Sequence, residues 1–134
     1  IKEAIGDMEQ VKELIVNKPS NFHVISGDDI TALETVFAGG SGVISVLGQG
    51  LPSEFSKMIK AGLDGDIIGA QELHTRMEEG MSLIFEEGNP AGIKSIFETL
   101  ALSNAKVRLP LVEATEELKK KIAAFVKPFL EVTA

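Results

Sequence analysis

The sequence predicts an α/β fold, mostly helical by residue count, from three observations. Residues 21–26 (NFHVIS) are rich in β-formers and halt at Gly27. Residues 42–47 (GVISVL) form an apolar run beside glycines, the pattern of a strand covered on both faces. With a β-like stub at Ile1-Lys2, strand and helix recur about every 20 residues, the spacing of βα units on a parallel sheet. From Pro52 onward the pattern is helical throughout.

The elements follow in order. Asp7 is placed to cap a first helix, with Gln10 at the third position of a capping box. Val11, Leu14 and Ile15 continue its apolar stripe, and Lys18-Pro19 stops it. Between the two β runs, Asp28 or Asp29 caps a helix with Ile30, Leu33, Val36 and Phe37 on one side, ending at Gly39-Gly40. The helical region then repeats 3- and 4-residue spacing in Phe55, Met58, Ile59 and Leu63, with Gly62 a weak point. Ala70, Leu73, Met77, Met81 and Ile84 come next, followed by Ile93, Ile96, Phe97 and Leu100, and by Leu118, Ile122, Phe125 and Val126. Gly-Asn-Pro at 88–90 and Arg-Leu-Pro at 108–110 punctuate these helices. The expected division is 1–51, the βα part, and 52–134, the helical part. No internal repeat stands out.

At 134 residues the chain is long enough to bury a core, and 44% hydrophobic against 25% charged residues is a globular balance rather than a disordered one. A net charge of −7 makes nucleic acid an unexpected partner, because phosphate binding needs clustered Lys and Arg. Lys119-Lys120-Lys121 follows Glu116 and Glu117 and reads as a solvated helix face. The absence of Cys excludes disulfides and thiolate metal sites, and no apolar run nears the roughly 18 residues of a membrane span. The expectation is a cytoplasmic protein without membrane contact. The chain has no Tyr, no Trp and two His, so proton-transfer side chains are scarce.

Two strands and a stub make a poor sheet, because parallel strands need partners and cover. The expectation is therefore a chain that belongs to something larger, ordered when missing βα units or another copy cover its strands.

Three strand ends hold the chemistry: Lys2, then Ser26-Gly27-Asp28-Asp29, then Ile44-Ser45-Val46. Parallel α/β folds build sites at the C-terminal ends of strands. A lysine desolvated there falls below its usual pKa of about 10.4 and its amine can attack a carbonyl. Bland readings stand beside this one. A single strand-end lysine is more often solvated, and Asp28 and Asp29 read as caps before they read as acids. His23 reads as a mid-strand residue. His74, among Glu72, Arg76, Glu78 and Glu79, lacks a second His four residues away, so no metal site is expected. The four methionines read as core filler. GGSGVISVLGQG lacks both the GxGxxG register and a Walker lysine, which argues against a phosphate loop.

IKEAIGDM, FHVISGDD, GGSGVISV, GNPAGIK and VRLPLV, in that order and spacing, resemble the dihydrodipicolinate synthase and N-acetylneuraminate lyase family of pyruvate-dependent class I aldolases. KEAxGD and SGDD favour the synthase branch over the lyase branch. The resemblance runs the length of the chain but covers only the C-terminal portion of the family's (β/α)8 TIM barrel and the helical region beyond it. It implies the last βα units of the barrel over 1–51, and the final barrel helix with the C-terminal helices over 52–134.

It also implies that Lys2 is the catalytic, imine-forming residue. Ile44, Gly27 and Asp28 match substrate-binding positions: Ile44 through its backbone, the other two in a loop at the mouth of the site. The implied activity is Schiff-base condensation of pyruvate with aspartate semialdehyde in lysine and diaminopimelate biosynthesis. No cofactor and no metal are implied. The implied partners are the missing N-terminal barrel half or another copy, in a homo-oligomer such as a homotetramer. The family's carboxylate-cradling threonines and proton-relaying tyrosine lie upstream of the matched segment, so the isolated chain is expected to be inactive. LGQGLP at 47–52 departs from the family's Thr-Ala-Asn type of segment. The competing readings are a catalytically inactive fragment, a helical interaction module, or a related lyase.

Overall fold

The computed structural model describes residues 1–131. The chain divides into two compact units, with the boundary between Met77 and Glu78. The first contains β1 (Lys2–Glu3), α1 (Met8–Asn17), β2 (Ile25–Ser26), α2 (Ala32–Phe37), a 3₁₀ turn at Leu47–Gln49, α3 (Pro52–Leu63) and the first half of α4 (Ile67–Glu86). The second contains the rest of α4, α5 (Ala91–Thr99) and α6 (Glu116–Glu131). The compact boundary lies inside α4, whereas the change from βα to all-helical chain falls near residue 51.

β1 and β2 pair in parallel, Lys2 with Ile25 and Glu3 with Ser26, and Ser26 forms a parallel bridge to Val43 on its other side. The β elements are shorter than the sequence predicts. The 21–26 run contributes only Ile25 and Ser26; before them the Phe22 amide donates to the Pro19 carbonyl in a turn. The stub is Lys2–Glu3 rather than Ile1-Lys2. The 42–47 strand reduces to one bridge, because the chain bends after Ile44 and Val46 already has helical angles, φ −88° and ψ −52°. A ladder is only as long as its partner, and β1 offers β2 two residues.

Burial alternates along β2: Val24 and Ser26 are fully buried and Ile25 half-buried between them. One face is covered by α2, which also packs against α1 and α3. The opposite face is open, with Ile44 54% exposed.

α1 starts where Asp7 Oδ1 accepts the amides of Glu9 (3.0 Å) and Gln10 (3.4 Å). The capping box does not close: Gln10 Nε2 donates to Glu3 Oε2 at 2.8 Å instead, tying α1 to β1. Of the stripe expected for α2, Leu33 and Val36 are buried, Phe37 is 38% exposed, and Ile30, which lies before the helix, is 44% exposed. On α3, Pro52 occupies the first turn, where its missing N–H costs nothing, and Phe55, Met58 and Ile59 are buried. Gly62 is a contact point rather than a weak point. A methyl there would lie 2.9 Å from Leu33 Cδ1 and 3.2 Å from Val36 Cγ1, so glycine lets α2 approach α3.

In the second unit, Met81, Ile84, Ile93, Ile96, Leu118, Ile122 and Val126 are buried, as their spacing predicts. Thr115 begins α6: its Oγ1 accepts the Leu118 amide at 3.3 Å, and Glu87 accepts both its amide (2.8 Å) and its hydroxyl (2.5 Å). These bonds hold the Glu87 carboxyl below its ordinary value. Gly80 receives the ring of Phe125, and Gly92 lies against the backbone of Ile84. Backbone cannot rotate aside, so Gly92→Ala is expected to cost about 1–3 kcal/mol through overpacking. Urea denaturation of the purified protein checks this, and an unchanged midpoint would mean that α4 and α5 are not in this register.

Candidate active site at the strand ends

The two pairings of Ser26 bring three distant stretches of chain to one end. The Gly27 amide donates to the Glu3 carbonyl (2.6 Å), the Ser26 amide to the Gly42 carbonyl (2.9 Å), and the Ile44 amide to the Ser26 carbonyl (2.9 Å). Register partners point to the same side and successive residues alternate. Lys2, Ile25, Gly27 and Ile44 therefore share the open face, while Glu3 and Ser26 face the helices.

Lys2 lies across Gly27. A methyl at residue 27 would fall 2.7 Å from Ala4 Cβ and 2.9 Å from Lys2 Cγ, and closer still to Lys2 Cε. The lysine chain occupies the space a side chain would take, so Gly27 is required by close approach. Lys2 itself is exposed along the uncovered face.

Asp28 Oδ2 accepts the amide of Thr31 (3.0 Å) and its hydroxyl (2.7 Å), which turns the chain into α2 from three residues before the Thr31 cap. The same carboxylate lies 3.6 Å from where a methyl on Gly6 would stand. Asp28 is thus engaged in its own turn, beside the loop that follows Lys2.

Asp29 corrects the expectation that it caps its own helix. Its side chain is buried, at 1% residue exposure, and it reaches across to the segment after Ile44. There it accepts the Val46 amide (3.1 Å) and the Leu47 amide (2.8 Å), together with the Ser45 hydroxyl. Ser45 Oγ in turn accepts the Gly48 amide at 2.7 Å. Asp29 therefore caps the 3₁₀ turn of a different segment. Sequence reasoning missed this role, and the only signal was the doubled aspartate after a strand end.

His23 Nδ1 pairs with Ser41 Oγ at 2.9 Å at the far end of the same stretch. His74 Nδ1 is buried without a hydrogen-bond partner among the described residues. No cluster of three potential metal-ligating side chains occurs among the described residues, and no described helix is long and apolar enough to cross a membrane. The Ser41–Ser45 stretch also borders an open groove of about 510 Å³ against α3, lined by Val43, Phe55 and Ile59 among others; Lys2 does not line it.

Comparison with known proteins shows the family of the chain. Residues 1–128 match the model of the dihydrodipicolinate synthetase family, and the chain belongs to that family. It is 50% identical over 127 residues to the 4-hydroxy-tetrahydrodipicolinate synthase of Flavobacterium psychrophilum, covering 95% of this chain and 43% of the relative. The synthase of Cytophaga hutchinsonii is 47% identical over 122 residues, covering 91% of this chain and 41% of that one. The chain thus spans less than half the length of these relatives. Among solved structures, the dihydrodipicolinate synthase of Aquifex aeolicus superposes with a TM-score of 0.91 at 32% identity, over 96% of this chain and 44% of that one. The chloride-inhibited synthase of Acinetobacter baumannii complexed with pyruvate superposes with a TM-score of 0.89 at 30% identity, over 95% and 44%.

Burial is the main influence on Asp29 and raises its carboxyl above the ordinary 3.8, against the opposing pull of bonds from Ser45, Leu47 and Val46. The folded state then holds the proton to higher pH than the unfolded chain does. The associated stability is fully present below the unfolded value and is lost as pH rises through the folded one. Relative to Asp29→Asn, the native protein is therefore expected to lose stability as pH rises upward from about 3.8. Urea midpoints of both proteins over a pH series test this, and a gap widening with pH in favour of the native protein would contradict it.

Proposed function

We propose that the protein carrying this chain condenses pyruvate with aspartate semialdehyde through an imine on Lys2, within a (β/α)8 barrel whose last βα units are residues 1–51. The observation that carries the reading is the close approach of Lys2 to Gly27, on the open face that also holds Ile44. Family membership supports it, as do relatives named 4-hydroxy-tetrahydrodipicolinate synthase and a structural neighbour described as complexed with pyruvate.

In this reading the Lys2 amine adds to the ketone carbon of pyruvate and the ketone oxygen leaves as water, giving an imine. Loss of a methyl proton turns the imine into an enamine, whose carbon adds to the aldehyde carbon of aspartate semialdehyde. Addition of water or of the condensed substrate's own amine to the imine carbon, with a proton passing to the departing nitrogen, then frees Lys2. Gly27 leaves room for the lysine chain, and the Ile44 backbone meets the bound pyruvate. Asp28 holds the turn at the mouth of the site. The remaining strands of the barrel cover the open face and the groove beside Val43, dry the amine and supply the proton-relaying tyrosine that these 134 residues lack.

Borohydride reduces an imine to a stable amine and so records where it formed. Treating the full-length protein with pyruvate and borohydride is expected to fix added mass on the peptide containing Lys2. Lys2→Ala and Lys2→Arg are both expected to abolish trapping, the second because a guanidinium does not form the imine. Mass on Lys57 or Lys60 instead would remove the assignment.

A further inference from the structure

Asp29 is the one buried carboxylate at the strand ends whose bonds leave its own segment. Its side chain joins the loop after β2 to the loop after Val43, accepting from the two consecutive amides at Val46 and Leu47. Ile44 sits between two anchors. Its own amide is held by the Ser26 carbonyl, and the chain just after it is held by Asp29. Ser26 and Asp29 belong to the same short turn, in which Ser26 Oγ donates to the Asp28 carbonyl at 2.8 Å. The backbone at Ile44 is therefore fixed relative to β2, and through the β1–β2 ladder relative to Lys2.

We propose that Asp29 is a positioning residue that sets the Ile44 backbone against Lys2, and so tunes how tightly the site holds the keto acid without touching it. This rests on the reading of Lys2 as the imine-forming lysine. Asp29 is chosen over its neighbour because Asp28 spends its carboxylate on Thr31, within its own turn. Glutamate is not an equivalent: an added methylene in a side chain 1% exposed moves the carboxylate off both amides. Asparagine keeps the shape and one accepting oxygen, but its NH₂ takes the place of Oδ1, 3.2 Å from the Val46 amide, and sets a donor against a donor.

The test is the pyruvate dependence of borohydride trapping in the full-length protein, read as the pyruvate concentration giving half-maximal label on Lys2. Asp29→Asn is expected to raise that concentration about tenfold, the order of effect that a misplaced binding group produces. The plateau of label, corrected for folded protein by near-ultraviolet circular dichroism, is expected to stay near the native level. Ser45→Ala is expected to give a smaller rise, and the double variant no more than Asp29→Asn alone, since both act on one loop. A merely structural role would lower the label only before that correction and leave the half-maximal concentration in place, and that result overturns the proposal. Should Asp29→Asn not fold, Ser45→Ala alone decides, and an unchanged half-maximal concentration counts against it. If the native protein is labelled by pyruvate at Lys2 yet all variants match it, the positioning role falls while the Lys2 reading stands. If Lys2 takes no label in the native protein, both fall.

Discussion

Ser26 is paired on both sides, to Glu3 through β1 and to Val43 through a single bridge, and the strand-end arrangement depends on that double pairing. It is short, but it joins three segments that the sequence separates by some twenty residues each. Each contact around it is then specified by one residue type. Gly27 must lack a side chain for Lys2 to pass. Ser26 must be small and polar to sit buried and bond within its turn. Asp29 must be an acceptor, because two backbone N–H groups point at it in a place shielded from water.

The helices were legible because a 3.6-residue period is written locally. Phe55, Met58, Ile59, Ile93, Ile96, Leu118 and Ile122 were marked by spacing and are buried. The Asp7 cap was legible for the same reason, since it acts two and three residues away. What failed was whatever depends on a distant partner. Gly62, read from the sequence as a weakness in α3, is where α2 packs; the residues that make it so, Leu33 and Val36, belong to another element. The lengths of the 21–26 and 42–47 strands depend on pairing, and apolar composition alone says nothing of where a ladder ends.

The candidate site divides the same way. Lys2, Gly27, Asp28 and Ile44 were singled out by motif and by their place at strand ends, and the pairing brings Lys2, Gly27 and Ile44 to one face. Asp29 was visible as a residue but not as a connector, because its partners lie 17 and 18 positions along the chain. The open face carrying Lys2 and the groove beside Val43 are both apolar in part and uncovered. A chain spanning less than half the length of its relatives leaves room for the strands that would cover them.

Catalysis in this reading needs Lys2 to meet a ketone where the Ile44 backbone can hold the other end of the molecule. The most direct measurement is a crystal structure of the full-length protein soaked with pyruvate. Continuous electron density from Lys2 Nζ to the former ketone carbon, with the bound molecule against the Ile44 backbone, is the expected result. Pyruvate bound elsewhere, with Lys2 Nζ free and remote from it, would contradict the assignment of this strand end as the active site.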